Sequence, residues 1–564
     1  MTPSGTPQPT LGSRGSLGAA LRHPRAPAVA MAGVLAIAFL ALMYLDRGIG
    51  FFYDEWTFVL DRRGHDLGTF LKPHNEHIVV APVIVYKTLF AVVGLGHHWP
   101  YFLVLVVMHL LLGLGVYLLV RPRAGAWPAV MAATLILFAG LAWQNMLWAF
   151  QIGFVGSVLG GVWAWVALDR GGRRSGLAAC LALLFATVSS SLGVPMALGV
   201  AAEILVQRRT RALWVAAVPL GLYVLWYLGY GVSTITTQGL IHAAPWATTA
   251  VAAAAGALFG LGTSWGEALA VLGVIALGWR LAAAPPTPRL VGLLVAGIAF
   301  WALSGAARSV FQPPVPPDSS RYLTFGAVVL LLAAVELAAG VVVPPRLLAL
   351  GTAITLLAVA LGLPVLRDNA VLLRSQSGTT DAELGAMQLV QRSVPADYRP
   401  DPPVAPPLLA GGYFAATRSY GTVGDSPAEL LSDLSNERVQ ADRVLQEVAA
   451  RLVPGSARAS STPPALEQAI GASPTARGPC TVVRAGAAPT VVAAVVPRSG
   501  LLVRAEGRQE VEVRLRRFGD AFANVPVGSV APGAPRLLRL PADASSQPYR
   551  VQLAGRTGLA VCSA

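Results

Sequence analysis

Lysine is nearly missing from this chain, charge of either sign is scarce, and cysteine occurs three times. Of 564 residues 12% are charged, and of the 42 basic residues only Lys72 and Lys87 are lysines. A net charge of +14 would suit a nucleic-acid partner, but the arginines that carry it fall between hydrophobic segments or scatter through the C-terminal third. That placement excludes nucleic acid as the reading of the charge, because arginine in short loops marks the cytoplasmic side of a membrane protein. A small-residue cleavage site is also lacking after the first apolar stretch, Ala28 to Leu45, which is therefore expected to stay as a first helix.

What is present is apolar surface. Hydrophobic residues make up 55% of the chain and the mean hydropathy is +0.60. A bilayer core takes about 20 apolar residues per helix, and stretches of that kind recur to about residue 366. The fold class expected is an α-helical polytopic membrane protein with a C-terminal extracytoplasmic α+β region ending in a β-sandwich.

Arginine clusters orient the spans. Arg14, Arg22 and Arg25 precede the first helix; Arg121/Arg123, Arg170/Arg173/Arg174, Arg208/Arg209/Arg211, Arg280/Arg289 and Arg346 follow. With all of them cytoplasmic, about eleven spans are expected, at 28–46, 100–120, 127–143, 152–168, 176–189, 193–206, 212–230, 265–281, 290–306, 322–341 and 347–366. Residues 1–27 become a cytoplasmic tail, 28–366 the membrane domain with an outer loop 47–99, and everything beyond lies outside. Residues 78–95 and 247–262 are read as segments on the outer face rather than spans. Such a chain sits in the plasma membrane as a multi-pass protein.

The tail divides at about residue 476. Residues 367–475 form a linker and helical region, with an amphipathic helix over roughly Pro427 to Arg451. Residues 476–564 alternate as short strands, as in Val511-Glu512-Val513-Arg514-Leu515, and suggest a jelly-roll-like β-sandwich. Cys480 and Cys562 bracket the strands and are expected to be disulfide-bonded in an oxidising exterior. Cys180 reads as a buried residue of a helix. Few aromatics mark the sandwich as a sugar platform, so a structural cap is an equal reading.

Chemistry concentrates in the first loop. Phe51-Phe52-Tyr53-Asp54-Glu55-Trp56 is followed by Lys72-Pro73-His74-Asn75-Glu76-His77. Acids and imidazoles beside a bilayer are costly unless water, a metal or a polar substrate compensates them. His74, Glu76 and His77 with Asp54 would suit a divalent metal such as Zn or Mn; contact of His74, Asn75, Glu76 and His77 with a substrate is the competing role. Glu203 and Glu336 are expected to snorkel at inner helix ends, His109 to be hydrogen-bonded within the bundle, and Trp143, Trp148, Trp163 and Trp165 to form an aromatic belt.

The layout of a first helix, an outer loop with an Asp-Glu pair, a Pro-containing interfacial segment and a span with an Arg-rich inner end resembles the glycosyltransferase C superfamily. It is most similar to the protein O-mannosyltransferase and aminoarabinose-transferase branch. The resemblance covers roughly residues 28–366 and implies transfer of a sugar from a polyprenyl-phosphate donor, on the outer face, to a glycan, protein or lipid acceptor. By the same resemblance Asp54 is the base that takes the acceptor's proton, with Glu55 second. The departing phosphate needs cationic or hydrogen-bonding groups, and Arg321 and Tyr322 at the outer mouth of the tenth span are the candidates, with Arg308 behind them and Lys72 as an alternative. The rival class is a non-enzyme, a transporter or flippase of lipid-linked envelope precursors, or a scaffold. A transporter is expected to carry midplane polar residues and an internal repeat, and both are lacking.

Overall fold

The computed structural model describes residues 24–313, 315–341, 343–455, 462–522, 524–543 and 545–564. The expected cytoplasmic tail up to residue 23, with Arg14 and Arg22, lies outside the described residues, as do residues 456–461 of the linker. The chain forms two compact units: residues up to 47, 64–88 and 99–371 in one, and residues 48–63, 89–98 and 372–564 in the other.

The first unit is helical throughout. Seven helices among the described residues are long and apolar enough to cross a membrane: Ala26–Leu45, Trp99–Ala124, Ala149–Arg170, Thr263–Ala283, Pro288–Arg308, Ser320–Leu337 and Pro345–Leu389. The other four expected spans are also helices, Ala126–Leu137, Arg173–Ser189, Gly193–Val206 and Trp214–Tyr230. At 1.5 Å per residue these shorter helices reach only about 18–26 Å, less than the roughly 30 Å of a bilayer core. Seven helices therefore qualify as spans by length and apolarity alone, and the four shorter ones fall below that length. Small residues let the helices approach closely: a Cβ on Gly292 would stand 2.7 Å from the Gly199 carbonyl oxygen of the Gly193–Val206 helix.

The segment read as 247–262 is a 21-residue helix, Thr237–Ala257. Its neighbours include Gly305 and Ala306 near the end of the Pro288–Arg308 helix, and Tyr322 and Gly326 near the start of the Ser320–Leu337 helix. These contacts lie within two turns of one end of the bundle, the end that also carries Arg308.

The opposite end holds an ionic network. Arg123 pairs with Asp169 at 2.9 Å and with Glu336, and Arg289 pairs with Asp169 at 2.8 Å and Glu203 at 2.6 Å. Glu203 and Glu336 are buried, so the expectation that they snorkel is wrong. Arginines from other helices reach them first, and a buried carboxylate that is paired need not seek water. The aromatic belt is also corrected in part. Trp148 and Trp165 are buried in the helical core, where Trp165 carries the Arg289 guanidinium over its ring at 5.5 Å. His109 is hydrogen-bonded within the bundle, to the Leu137 carbonyl at 3.3 Å, and Cys180 is buried.

The Pro345–Leu389 helix runs for 45 residues, about 67 Å. Its apolar first half coincides with the last expected span, but it does not stop near residue 366. From Leu372 it belongs to the second unit. There it is joined by the helices Ala410–Tyr420, Glu429–Ser432 and Ser435–Val448, the last two falling within the expected amphipathic helix.

Two antiparallel sheets complete this unit: β1 (Arg451–Pro454), β2 (Leu466–Ile470), β3 (Ala472–Arg477), β4 (Cys480–Ala485), β5 (Thr490–Val495), β6 (Leu501–Ala505), β7 (Val511–Arg516), β8 (Gly528–Val530), β9 (Arg536–Arg539), β10 (Arg550–Gly555) and β11 (Leu559–Ser563). Their orders are β1-β9-β6-β11-β4-β3 and β2-β5-β10-β7-β8. Strands β4 to β11 switch sheets at every step except β7 to β8, which pair in one sheet, as the eight strands of a jelly roll do. Alternate residues of β6, β7 and β10, such as Leu501, Val503, Val511, Val513, Val551 and Leu553, fill the space between the sheets. The sandwich begins at Arg451 rather than residue 476: β2 and β3 are largely exposed and carry no apolar alternation to announce them. Cys480 and Cys562 are disulfide-bonded and directly opposite each other on neighbouring strands β4 and β11, the first and last of the eight. The Ser435–Val448 helix docks on the sandwich through Asp442, which accepts hydrogen bonds from the Phe518 and Gly519 amides at 2.9 and 2.8 Å.

Candidate functional site

The His74-Asn75-Glu76-His77 string folds as a tight turn. His74 and His77 exchange two backbone hydrogen bonds of 3.0 Å, and Asn75 takes the left-handed conformation at φ 52°. Asparagine tolerates that region better than most side chains. The turn leaves Asn75 exposed and directs Glu76 and His77 into the helical unit, where both line a cavity of about 320 Å³.

The cavity lining combines polar and apolar side chains. Glu76, His77, Arg308 and Tyr322 line it, together with Ser191, Ser233 and Thr234. Leu192, Val194, Pro195, Val224, Phe300 and Leu303 supply the apolar side. Glu76 and Arg308 form an ion pair whose side chains are only 14% and 10% exposed. The Tyr322 hydroxyl meets the Arg308 Nε at 3.1 Å. His77 approaches Glu76 at 3.4 Å. Burial, with His74 and Arg321 nearby, brings the His77 imidazole down to about 4. His77 is therefore neutral at pH 7, and its contact with Glu76 is not an ion pair.

Arg321 is placed by its backbone. The Asn145 side-chain amide donates to the Arg321 carbonyl and to the Thr324 hydroxyl, both at 2.9 Å, and the Gln144 amide donates to the Ser320 hydroxyl at 3.0 Å. The short helix Gln144–Leu147 thereby fixes the start of the Ser320–Leu337 helix. Five polar atoms of these segments are buried without a hydrogen-bond partner: Glu76 Oε2, His77 Nδ1, Gln144 Oε1, Asn145 Oδ1 and Arg321 Nε. Native interiors satisfy nearly all such atoms; Glu76 and His77 line the cavity, whereas Gln144, Asn145 and Arg321 do not.

Asp54 and Glu55 lie in the other unit, at the start of the Glu55–Asp61 helix. Glu55 is wholly buried; its Oε2 accepts from the Phe52 amide at 3.0 Å and its Oε1 stands 3.2 Å from His98 Nε2. Both oxygens are engaged in holding the helix start and the 89–98 segment. Asp54 precedes the helix and caps no amide with its side chain. The expected outer loop 47–99 is thus divided, with Asp54 and Glu55 in one unit and Lys72 to His77 in the other. Lys72 is exposed and does not line the cavity. Among the described residues no group of three or more His, Cys, Asp or Glu side chains is arranged to hold a metal ion.

The sequence reading passed over Tyr223, Tyr227, Ser191 and Thr234, which also line the cavity. A signal existed: Tyr223 and Tyr227 sit one turn apart on a single helix face, and the loops holding Ser191 and Thr234 share the predicted outer side with Arg308. No protein-family model matches the chain, and no curated protein sequence matches it.

Proposed function

We propose that this protein is a membrane glycosyltransferase that moves a sugar from a polyprenyl-phosphate donor to an acceptor on the outer face of the plasma membrane, for synthesis of an envelope glycan or glycoprotein. The observation that carries the reading is the cavity of the helical unit, whose lining joins apolar side chains to arginine, tyrosine, histidine and carboxylate. A prenyl phosphate has the same division, an apolar chain ending in an anion. Its phosphate competes with the Glu76 carboxylate for Arg308, because a guanidinium binds either anion bidentately. Arg321 and Tyr322 add a second cation and a hydroxyl donor, and neutral His77 offers a hydrogen bond without charge.

Asp54 remains the base of the proposal on the strength of the family resemblance alone. Eleven spans, a cytoplasmic N-terminus and an extracytoplasmic sandwich belong to the same reading and rest on arginine placement. The test is transfer of label from a polyprenyl-phosphate sugar to envelope acceptors by the purified protein in proteoliposomes, with Arg308→Met as control. Transfer by the wild type that the variant lacks supports the proposal. Movement of labelled lipid across the vesicle membrane without any transfer would instead assign a flippase.

A further inference from the structure

Four arginines, Arg173, Arg208, Arg209 and Arg211, line one recess of about 520 Å³ in the helical unit, beside the starts of the Arg173–Ser189 and Trp214–Tyr230 helices. No carboxylate lines it. This is distinct from the cavity at Glu76, which shares none of its lining residues.

The contrast with nearby arginines is informative. Arg123 and Arg289, near the same helix ends, are neutralised by Asp169, Glu203 and Glu336. Asp169 is two residues from Gly171, which lines the recess, yet its carboxylate turns to Arg123 and Arg289. Among the described residues the four lining arginines make no ion pair; Arg209 donates to the Gln207 side chain at 3.3 Å. Arginines that serve only to orient a membrane protein need no shared centre, since any position in a short loop suffices. Here four like charges surround one recess, which costs repulsion unless an anion occupies it.

The surroundings select the anion. Leu168, Trp214 and Val215 line the recess with the arginines. Leu177 and Leu181 leave it along one helix, and Val218 and Leu222 along the next, all exposed. Basic recesses between membrane helices hold anionic lipid headgroups in this manner.

We infer that the recess binds the phosphate headgroup of an anionic membrane phospholipid, whose acyl chains lie along the exposed leucine faces of the Arg173–Ser189 and Trp214–Tyr230 helices. The guanidinium groups hold the phosphate, and Trp214, which packs at Gly176, borders the headgroup.

Native mass spectrometry of the full-length protein, released from detergent with phosphatidylglycerol or phosphatidylcholine, tests this. The wild type is expected to retain phosphatidylglycerol at least tenfold better, and Arg208→Gln/Arg209→Gln/Arg211→Gln to lose that preference while staying monodisperse. Arg121→Gln/Arg346→Gln, which removes two arginines outside the recess, keeps it. Glycerol 1-phosphate at millimolar concentration should leave the bound lipid in place; its displacing the lipid would assign the site to free phosphates and overturn the lipid assignment. Equal retention of both lipids by the wild type, or an undiminished preference in the triple variant, would overturn the site itself.

Discussion

Glu76 and Arg308 form an ion pair in the lining of the helical unit's cavity, joining a two-residue turn to the last turn of the Pro288–Arg308 helix. Both side chains are largely withdrawn from water, so each depends on the other. Removing one partner of such a pair costs about 3 kcal/mol, much of it from the charge left behind. Glu76→Gln and Arg308→Met should each lower the thermal midpoint, and the double variant should recover part of the loss. Additive losses in thermal unfolding would show that the two residues are not coupled.

Asp54→Asn and Arg321→Ala should differ in kind. A base matters only while the proton moves, so Asp54→Asn is expected to abolish transfer while donor binding persists. Arg321→Ala should weaken donor binding as well as turnover, because its phosphate partner is charged in ground and transition states alike. Parallel measurement of donor affinity and single-turnover rate separates the two. Transfer by Asp54→Asn at the wild-type rate would remove Asp54 from the mechanism.

The Cys480–Cys562 disulfide closes a loop with a sequence separation of 82. In the chain-entropy model a loop of that size contributes on the order of 4 kcal/mol. Reduction, or Cys480→Ser/Cys562→Ser, should lower the melting transition of the sandwich by several degrees and leave the helical unit's transition in place. Calorimetry of the whole protein reads both, and a mass spectrum of the unreduced digest should show the linked peptides.

Asp425 gives the second unit a pH dependence. Burial first, then the neighbouring Asp381, Asp433 and Glu429, push its carboxyl up to about 8. In the unfolded chain it titrates near 4. Between those values the folded state binds the extra proton, so stability is greatest at the acidic end of the window and falls as pH rises to about 8. Asp381 and Glu383, also pushed up by burial, act in the same direction. Scans at pH 5, 7 and 9 should therefore show the reductant-sensitive transition moving down in temperature, and Asp425→Asn should reduce that slope in part. An unchanged slope in the variant would place the titration elsewhere.

Some of this protein was decided by local pattern. Long apolar runs specify helices in a bilayer, because backbone groups there must bond to one another, and helices stand at each of the eleven expected spans. Period-two alternation specified β7 and β10, short β-rich runs between turn residues marked β5 and β6, and the two bracketing cysteines met as the first and last strands of the jelly roll. The pairing of Glu203 with Arg289, of Glu336 with Arg123 and of Glu76 with Arg308 was not legible, because each joins segments far apart in the chain. The division of the 47–99 loop was hidden for the same reason: Asp54 and Glu76 share a short polar stretch, yet Glu55 is buried against His98 in one unit while Glu76 faces Arg308 in the other. Sequence determined which segments are apolar and which residues are reactive. Tertiary packing decided which of those acids are consumed by structure and which stand at a cavity, because burial and partner choice are properties of contacts between distant segments.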